Sequence, residues 1–142
     1  MARLNPIRRR LPRRRGVVVL EMAIGLTVLI PLTFGLLEYG LMFWHMHHIA
    51  NAARQGARIA ARPDATTAQI EDAIKAAMNN AGLAVGEYVS TFNPADPTVL
   101  AAGTTFSVTI SVPYGNIGLN IPFLPVPESL DSQITMAKEG DS

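Results

Sequence analysis

The sequence predicts an α+β protein: a long N-terminal transmembrane helix that continues out of the membrane, followed by a small domain with one helix on a short antiparallel sheet. Two observations predict it. The first is an apolar run from Val17 to Trp44 that contains only two charged residues. The second is a change of periodicity, from a helical pattern at 66–81 to strict alternation at 106–112.

The apolar run is long enough to cross a bilayer. At about 1.5 Å per residue, a helix from Val17 to Leu37 measures about 31 Å, against roughly 30 Å of hydrocarbon. Seven of the twelve basic residues precede Gly16, and no acidic residue does. By the positive-inside rule, this head stays in the cytoplasm and the C-terminal part faces outward. We therefore expect a single-pass protein of the inner membrane.

Four segments follow from this placement. They are an arginine-rich cytoplasmic leader at 1–16, the transmembrane helix at 17–44, a helical extension at 45–62 and an outer α+β domain at 63–142. Pro63 ends the extension, because the residue before a proline is pushed out of helical geometry. From Gly16 onward the chain has five basic and eleven acidic residues, so its formal balance there is −6.

The outer domain carries local signals for a helix and three strands. Thr66 and Gln69 form a capping-box pattern, and Gly82 closes the helix that it begins. Its apolar face consists of Ile70, Ile74, Ala77, Met78 and Ala81. Three strands are expected, at 86–92, at 106–112 and at 134–138. The helix is expected to cover the apolar face of their sheet.

Composition argues against catalysis. The chain has no cysteine, no glycine-rich phosphate loop and no nucleophile elbow. His45, His47 and His48 are crowded at the membrane exit with no carboxylate or cysteine beside them, so we expect no metal. The arginine run lacks interleaved aromatic residues and adjoins the span, which favours topology over nucleic-acid binding. We expect no enzyme, cofactor, small-molecule substrate or nucleic-acid partner.

Glu21 is the informative residue of the span. A carboxylate so close to hydrocarbon is costly, and two interpretations account for it. In one, it snorkels to the nearby cytoplasmic interface. In the other, a cut after Gly16 makes Val17 the new N-terminus, and Glu21 lies on the same helix face. The carboxylate would then face a free amine of its own or a neighbouring subunit, which lowers the burial cost of both charges.

Two further residues of the span attract attention. Pro31 removes the amide that would bind the carbonyl of Thr27, so we expect a kink. A nearby hydroxyl, such as that of Thr27 or Thr33, or another helix could then satisfy that carbonyl. Glu38 lies near the outer end beside interfacial aromatics, so we expect it among hydrated headgroups. Pairing of Glu38 with another subunit is the alternative.

The helical extension has two stripes. Ala53, Ala57 and Ala60 form a small-residue stripe, which suits close packing against the chain's own domain or against another subunit. Arg54, Arg58 and Arg62 form a basic stripe at i, i+4 and i+8, and a solvated basic face explains them equally well.

These features together resemble the TadE-like family, pseudopilins of tight-adherence (Flp) pilus systems. The segments that carry the resemblance are Gly16-Val17-Val18-Val19-Leu20-Glu21, Pro31, Leu37-Glu38-Tyr39-Gly40, Asn51-Ala52-Ala53-Arg54-Gln55-Gly56-Ala57-Arg58 and Ala60-Ala61. The resemblance implies processing after Gly16 by a prepilin peptidase, with Glu21 guiding subunit alignment. It also implies contacts with the membrane, with other pilin and pseudopilin subunits and with a pilus assembly platform.

The sequence leaves rival functions open. One is a permanently anchored envelope protein whose outer domain binds a ligand, and another is a secreted protein released by ordinary signal cleavage. On the pseudopilin hypothesis, subunit packing or alignment falls to Glu21, Pro31, Glu38, Ala53, Arg54, Ala57 and Arg58. Processing distinguishes the three hypotheses. A pseudopilin loses the head alone, an anchored binding protein loses nothing, and a secreted protein loses the span.

Overall fold

The computed structural model describes the backbone of residues 14–140 and the side chains of residues 16–140. Its regular elements are α1 (Arg14–Ala61), α2 (Thr67–Asn80), β1 (Val89–Asn93), β2 (Thr105–Pro113) and β3 (Ser129–Ala137). Short 3₁₀ helices at Pro97–Val99 and Tyr114–Asn116 flank β2. The predicted α+β class is confirmed. Most of the predicted leader, residues 1–13, lies outside the described residues.

The described residues form two compact units that divide between Leu36 and Leu37. The first unit is the N-terminal part of α1, in which every side chain from 17 to 30 is exposed. Among the described residues, α1 is the one helix long and apolar enough to cross a membrane. It suggests a single membrane anchor, as the sequence predicts.

Helix α1 continues through Pro31. The hydroxyl of Thr27 donates to the carbonyl of Ala23 at 2.9 Å, and that of Thr33 to the carbonyl of Leu29 at 2.8 Å. Neither hydroxyl therefore bonds the carbonyl of Thr27, which rules out the two candidates within the chain that the sequence offered. Each threonine instead bonds back to the carbonyl four residues before it, the usual local choice of a helical threonine.

In the second unit, a three-stranded antiparallel sheet has the order β1-β2-β3. Ile110 of β2 pairs with Ser90 of β1 and with Ser132 of β3. The predicted alternation is confirmed, since Phe106, Val108, Ile110 and Val112 are at most 1% exposed. These side chains form the apolar face of the sheet.

The outer strands have different limits from those predicted. Strand β1 begins at Val89 because a turn precedes it: Gly86 has a φ of +100°, and the Glu87 carboxylate accepts from the amide of Ala84 at 2.6 Å. Strand β3 begins at Ser129, five residues before its predicted start. Its polar first half pairs with β2 and leaves little apolar signal of its own.

Helix α2 matches its sequence signals. The Thr66 side chain accepts from the amide of Gln69, and the Gln69 side chain accepts from the amide of Thr66. Gly82, with a φ of +77°, follows the helix, where an αL residue ends it without steric cost. The predicted apolar face is buried: Ile70, Ile74, Ala77, Met78 and Ala81 are at most 9% exposed.

Helix α1 itself supplies much of the core of the second unit. Its small-residue stripe, Ala53, Ala57 and Ala60, is fully buried in the chain's own core, the first of the two alternatives for this stripe. The approach at Gly56 is tight, since a Cβ there would lie 2.6 Å from Cγ1 of Ile74 and 3.7 Å from Cγ1 of Val108. The absence of a side chain at Gly56 therefore lets α1, α2 and β2 meet.

A buried lysine ties the end of α1 to the end of β3. Nζ of Lys138, a residue 5% exposed, donates to the carbonyls of Ala60 at 3.0 Å and Arg62 at 2.8 Å. The amide of Glu139 donates to the carbonyl of Ala61 at 2.8 Å. Helix C-termini leave carbonyls without helical donors and carry partial negative charge, so a cation here is favourable.

We predict that Lys138→Met destabilises the second unit. The substitution keeps an apolar stem but removes both charged hydrogen bonds, a loss of roughly 1.5–3 kcal/mol in the free energy of unfolding. The measurement is the Tm of the full chain in detergent, followed by circular dichroism. Lys75→Met is the matched control, because Lys75 is the other lysine and is exposed. Equal Tm values for the two variants would contradict the role of Lys138.

Candidate functional site

The residues predicted for processing lie together near the start of α1. Gly16, Val17 and Glu21 are all helical, and α1 begins two residues before Gly16. Val17 is 63% exposed and the Glu21 side chain is exposed. A Cβ added at Gly16 would meet no described atom within 4 Å. Val17 and Glu21 thus share an exposed helix face, as the sequence predicts for positions four apart.

Glu38 is not where the sequence predicts it. Its side chain is fully buried, and its Oε1 accepts a hydrogen bond of 2.8 Å from the hydroxyl of Tyr114, itself 2% exposed. Oε2 has no hydrogen-bond partner among the described residues. The expectation of hydrated headgroups is wrong, because Tyr114 and the chain that follows it lie against this carboxyl group.

The segment after Tyr114 is fitted closely around Glu38. A Cβ at Gly118 would lie 2.8 Å from Oε1 of Glu38 and would also clash with the ring of Tyr114. The amide of Gly118 donates to the carbonyl of Tyr114 at 2.9 Å. One residue further along α1, the hydroxyl of Tyr39 donates to the carbonyl of Pro125 at 3.1 Å. Two consecutive helix residues therefore hold the chain between β2 and β3.

The phenol of Tyr114 has a raised pKa. Burial, and then the hydrogen bond to Glu38, raise the pKa of Tyr114 to about 12. Ionisation would place a second negative charge beside a carboxyl group and remove the donated proton. Because folding raises the pKa of Tyr114, this phenol contributes its full stabilisation of the fold below its unfolded pKa of about 10. The stabilisation is lost as the pH rises through the folded pKa of about 12.

The basic stripe lies on the surface. Arg54, Arg58 and Arg62 are exposed on α1. The guanidinium of Arg62 pairs with Asp64 at 2.9 Å, and both side chains are at least half exposed. Such an exposed pair contributes little to stability. The arrangement fits a solvated basic face: Arg54 donates to Oδ1 of Asn51 at 3.4 Å, and among the described residues neither Arg54 nor Arg58 forms an ion pair.

Two of the three histidines pack against an aromatic residue. The ring of Trp44 packs edge-on against those of His45 and His48, with centroid distances of 4.7 and 4.4 Å. Across the described part of the chain, no group of three or more His, Cys, Asp or Glu residues is arranged to hold a metal ion.

Sequence reasoning missed Tyr114, Gly118 and Lys138. The alternation of core-facing residues along the strands carried a signal for Tyr114 and Lys138. Tyr114 continues the alternation of buried residues along β2, and Lys138 continues the core-facing positions that include Met136, which pairs with Phe106. A lysine at a core-facing position requires acceptors, and the end of α1 provides them. Gly118 had no comparable signal, because its constraint comes from Glu38, distant in sequence.

We predict that one tyrosine of the folded chain titrates near pH 12 and that Tyr114→Phe abolishes this step. The measurement is the ultraviolet absorbance of phenolate for the full chain in detergent, from about pH 9 to about pH 13. Tyr88→Phe is the control, and it should leave the late step in place. Loss of the late step in the control instead would refute the assignment.

We also expect Tyr114→Phe to lower the free energy of unfolding by about 1–3 kcal/mol, because Glu38 stays buried without its donor.

Comparison with known proteins finds a family match for the long helix. The family model described as TadE-like protein matches residues 16–58, a segment that lies wholly within α1 and includes Glu21, Pro31 and Glu38. No curated protein and no solved structure matches the chain. Over residues 16–58, therefore, the chain is similar to TadE-like proteins.

Proposed function

We propose that this chain is a pseudopilin, a minor structural or assembly component of a tight-adherence pilus or a related secretion machine. It is made as an inner-membrane precursor and cut after Gly16 by a prepilin peptidase. The observation that carries the proposal is the family match, which begins at Gly16 and covers the apolar helix. A structural role, with no catalytic site, accords with this family.

The charges around the cleavage site support the proposed processing. The seven arginines before Gly16 orient the precursor with its head in the cytoplasm. Removal of the head leaves an acidic mature chain with a new amine at Val17. Glu21 lies on the same helix face, so the amine and the carboxylate, within one subunit or between neighbours, reduce each other's burial cost. This pairing is the proposed alignment device.

The exposed part of α1 supports the proposed packing. From 17 to 30 its side chains are apolar except at Glu21 and Thr27, and all are exposed. Such a surface is stable only in lipid or against other apolar helices, so it suits both the membrane-bound precursor and a bundle of subunits. Pro31 provides a point at which this helix can bend.

The second unit then supplies contacts with partners. Ala53 and Ala57 hold its core, while Arg54 and Arg58 present positive charge outward. We assign the contacts with other pilin and pseudopilin subunits and with the assembly platform to this exposed surface. The chain from Gly16 onward is acidic overall, so a second subunit is one source of negative charge that would complement these arginines.

The experiment that tests the proposal is intact mass and N-terminal sequencing of the membrane-extracted chain, with and without a co-expressed prepilin peptidase. We expect a mature chain beginning at Val17 that appears only with the peptidase and is lost in Gly16→Ala. A Cβ at Gly16 meets no described atom within 4 Å, so the variant tests recognition without a clash.

Gly25→Ala is the matched control, because Gly25 lies on the same helix and is equally unobstructed among the described residues. It should be processed like the natural chain. A chain that keeps Arg8 to Arg15 in the presence of active peptidase would refute the proposal and favour a permanently anchored binding protein. Loss of the whole span would favour a secreted protein.

A further inference from the structure

The chain between β2 and β3 contains an exposed apolar segment. We call residues 117–127 the apolar loop: it contains no charged residue, and nine of its eleven residues are aliphatic, aromatic or proline. Phe123 is 60% exposed and Leu119 is 52% exposed. Large apolar side chains that are exposed together in one loop commonly mark a binding surface.

The attachment of the apolar loop fixes where this surface lies. The loop is held by Glu38, through Tyr114 and Gly118, and by Tyr39, through the carbonyl of Pro125. These two helix residues directly follow the segment 17–37, whose length of about 31 Å spans the hydrocarbon. Residues that contact Glu38 and Tyr39 are therefore held at the outer boundary of the membrane.

The next turn of α1 has the composition of a membrane interface. Phe43 is 60% exposed and Trp44 is 48% exposed. They lie about 6–8 Å beyond Tyr39 along the helix, within the headgroup region that tryptophan prefers. The apolar loop is thus attached on the hydrocarbon side of this aromatic belt.

We propose that the apolar loop inserts Leu119 and Phe123 into the outer leaflet of the membrane that α1 crosses. The occupant of this surface is the phospholipid bilayer itself. Insertion into a bilayer requires apolar side chains and no charge, and the loop meets both requirements. A soluble partner would not account for the attachment of the loop at the membrane boundary.

The insertion also accounts for the burial of Glu38. A carboxyl group at this level of the helix would otherwise face lipid, where an unsatisfied polar group is costly. The hydroxyl of Tyr114 and the close fit of Gly118 enclose it instead. The loop thus presents an apolar outer surface, while Gly118 on its inner side packs against the carboxyl group whose Oε1 accepts from Tyr114. This inference depends on the membrane anchorage in the proposed function, but not on cleavage or assembly.

The absence of cysteine allows a clean test with single labelled cysteines. The full chain is reconstituted in phosphatidylcholine vesicles with an environment-sensitive fluorophore at Leu119→Cys or at Phe123→Cys. Quenching is measured with nitroxide-labelled lipid from the bilayer and with iodide from water. Circular dichroism and the Tm of each labelled variant establish that the fold is retained.

Two labelled controls bracket the result. Val99→Cys is the water control, because Val99 is 77% exposed. Its neighbours Thr98 and Leu100 line a cleft with Lys138, near the end of α1. The end of α1 lies about 33 Å along the helix from Tyr39. Leu29→Cys, within the span, is the lipid control. It reports the anchorage independently of the loop.

We expect the lipid nitroxide to quench the labels at 119 and 123 several-fold more than the label at 99, and iodide to show the reverse order. Iodide quenching at 119 and 123 equal to that at 99, with the label at 29 quenched by lipid, would overturn the loop insertion alone. Protection of 119 and 123 from both quenchers would also overturn it, since protein would then cover the loop. Absence of lipid quenching at 29 would overturn the anchorage and the insertion together.

Discussion

The fold of the second unit depends on one close contact, the approach of α1 to α2 and β2 at Gly56. One short helix and three strands bury little apolar surface, and domains of this size are marginally stable on that account. The chain resolves it by using the last part of α1, from Leu37 onward, as an additional core helix. Small residues make this possible, because any side chain at Gly56 would meet Ile74. The helical extension and the outer domain are therefore one folding unit.

Polar contacts fix how this helix is placed on the sheet. Near its start, Glu38 accepts from Tyr114, and at its end the carbonyls of Ala60 and Arg62 accept from Lys138. An alanine-rich face alone would tolerate a shift along the helix. Buried polar groups would not, because a shift would leave a carboxyl group or an ammonium group without its partner at a cost of several kcal/mol. Apolar packing supplies the stability, and these two contacts specify the alignment.

The same distinction explains what the sequence could predict. Helix α2 and strand β2 were predictable because their signals are local: a capping box spans four residues, and the alternation of Phe106 to Val112 lies within one strand. The start of β3 was missed because its polar first half is defined by pairing with β2. Glu38 was misplaced, since its partner Tyr114 lies 76 residues away. The processing site proposed at Gly16, Val17 and Glu21 is also defined by a local pattern, so residue type and spacing were sufficient to propose it.

The position of the buried contacts has a consequence for the proposed assembly. On the proposed function, the subunit leaves the bilayer as α1 moves, and the part of α1 from Leu37 onward belongs to the second unit. The apolar loop, held at Glu38 and Tyr39, must move with it, so Leu119 and Phe123 would leave lipid at the first step, before the span is withdrawn. Exposure of these side chains then opposes departure until another apolar surface covers them. A neighbouring subunit can provide that surface, so the loop would favour extraction of the subunit into an existing assembly over release of the subunit alone.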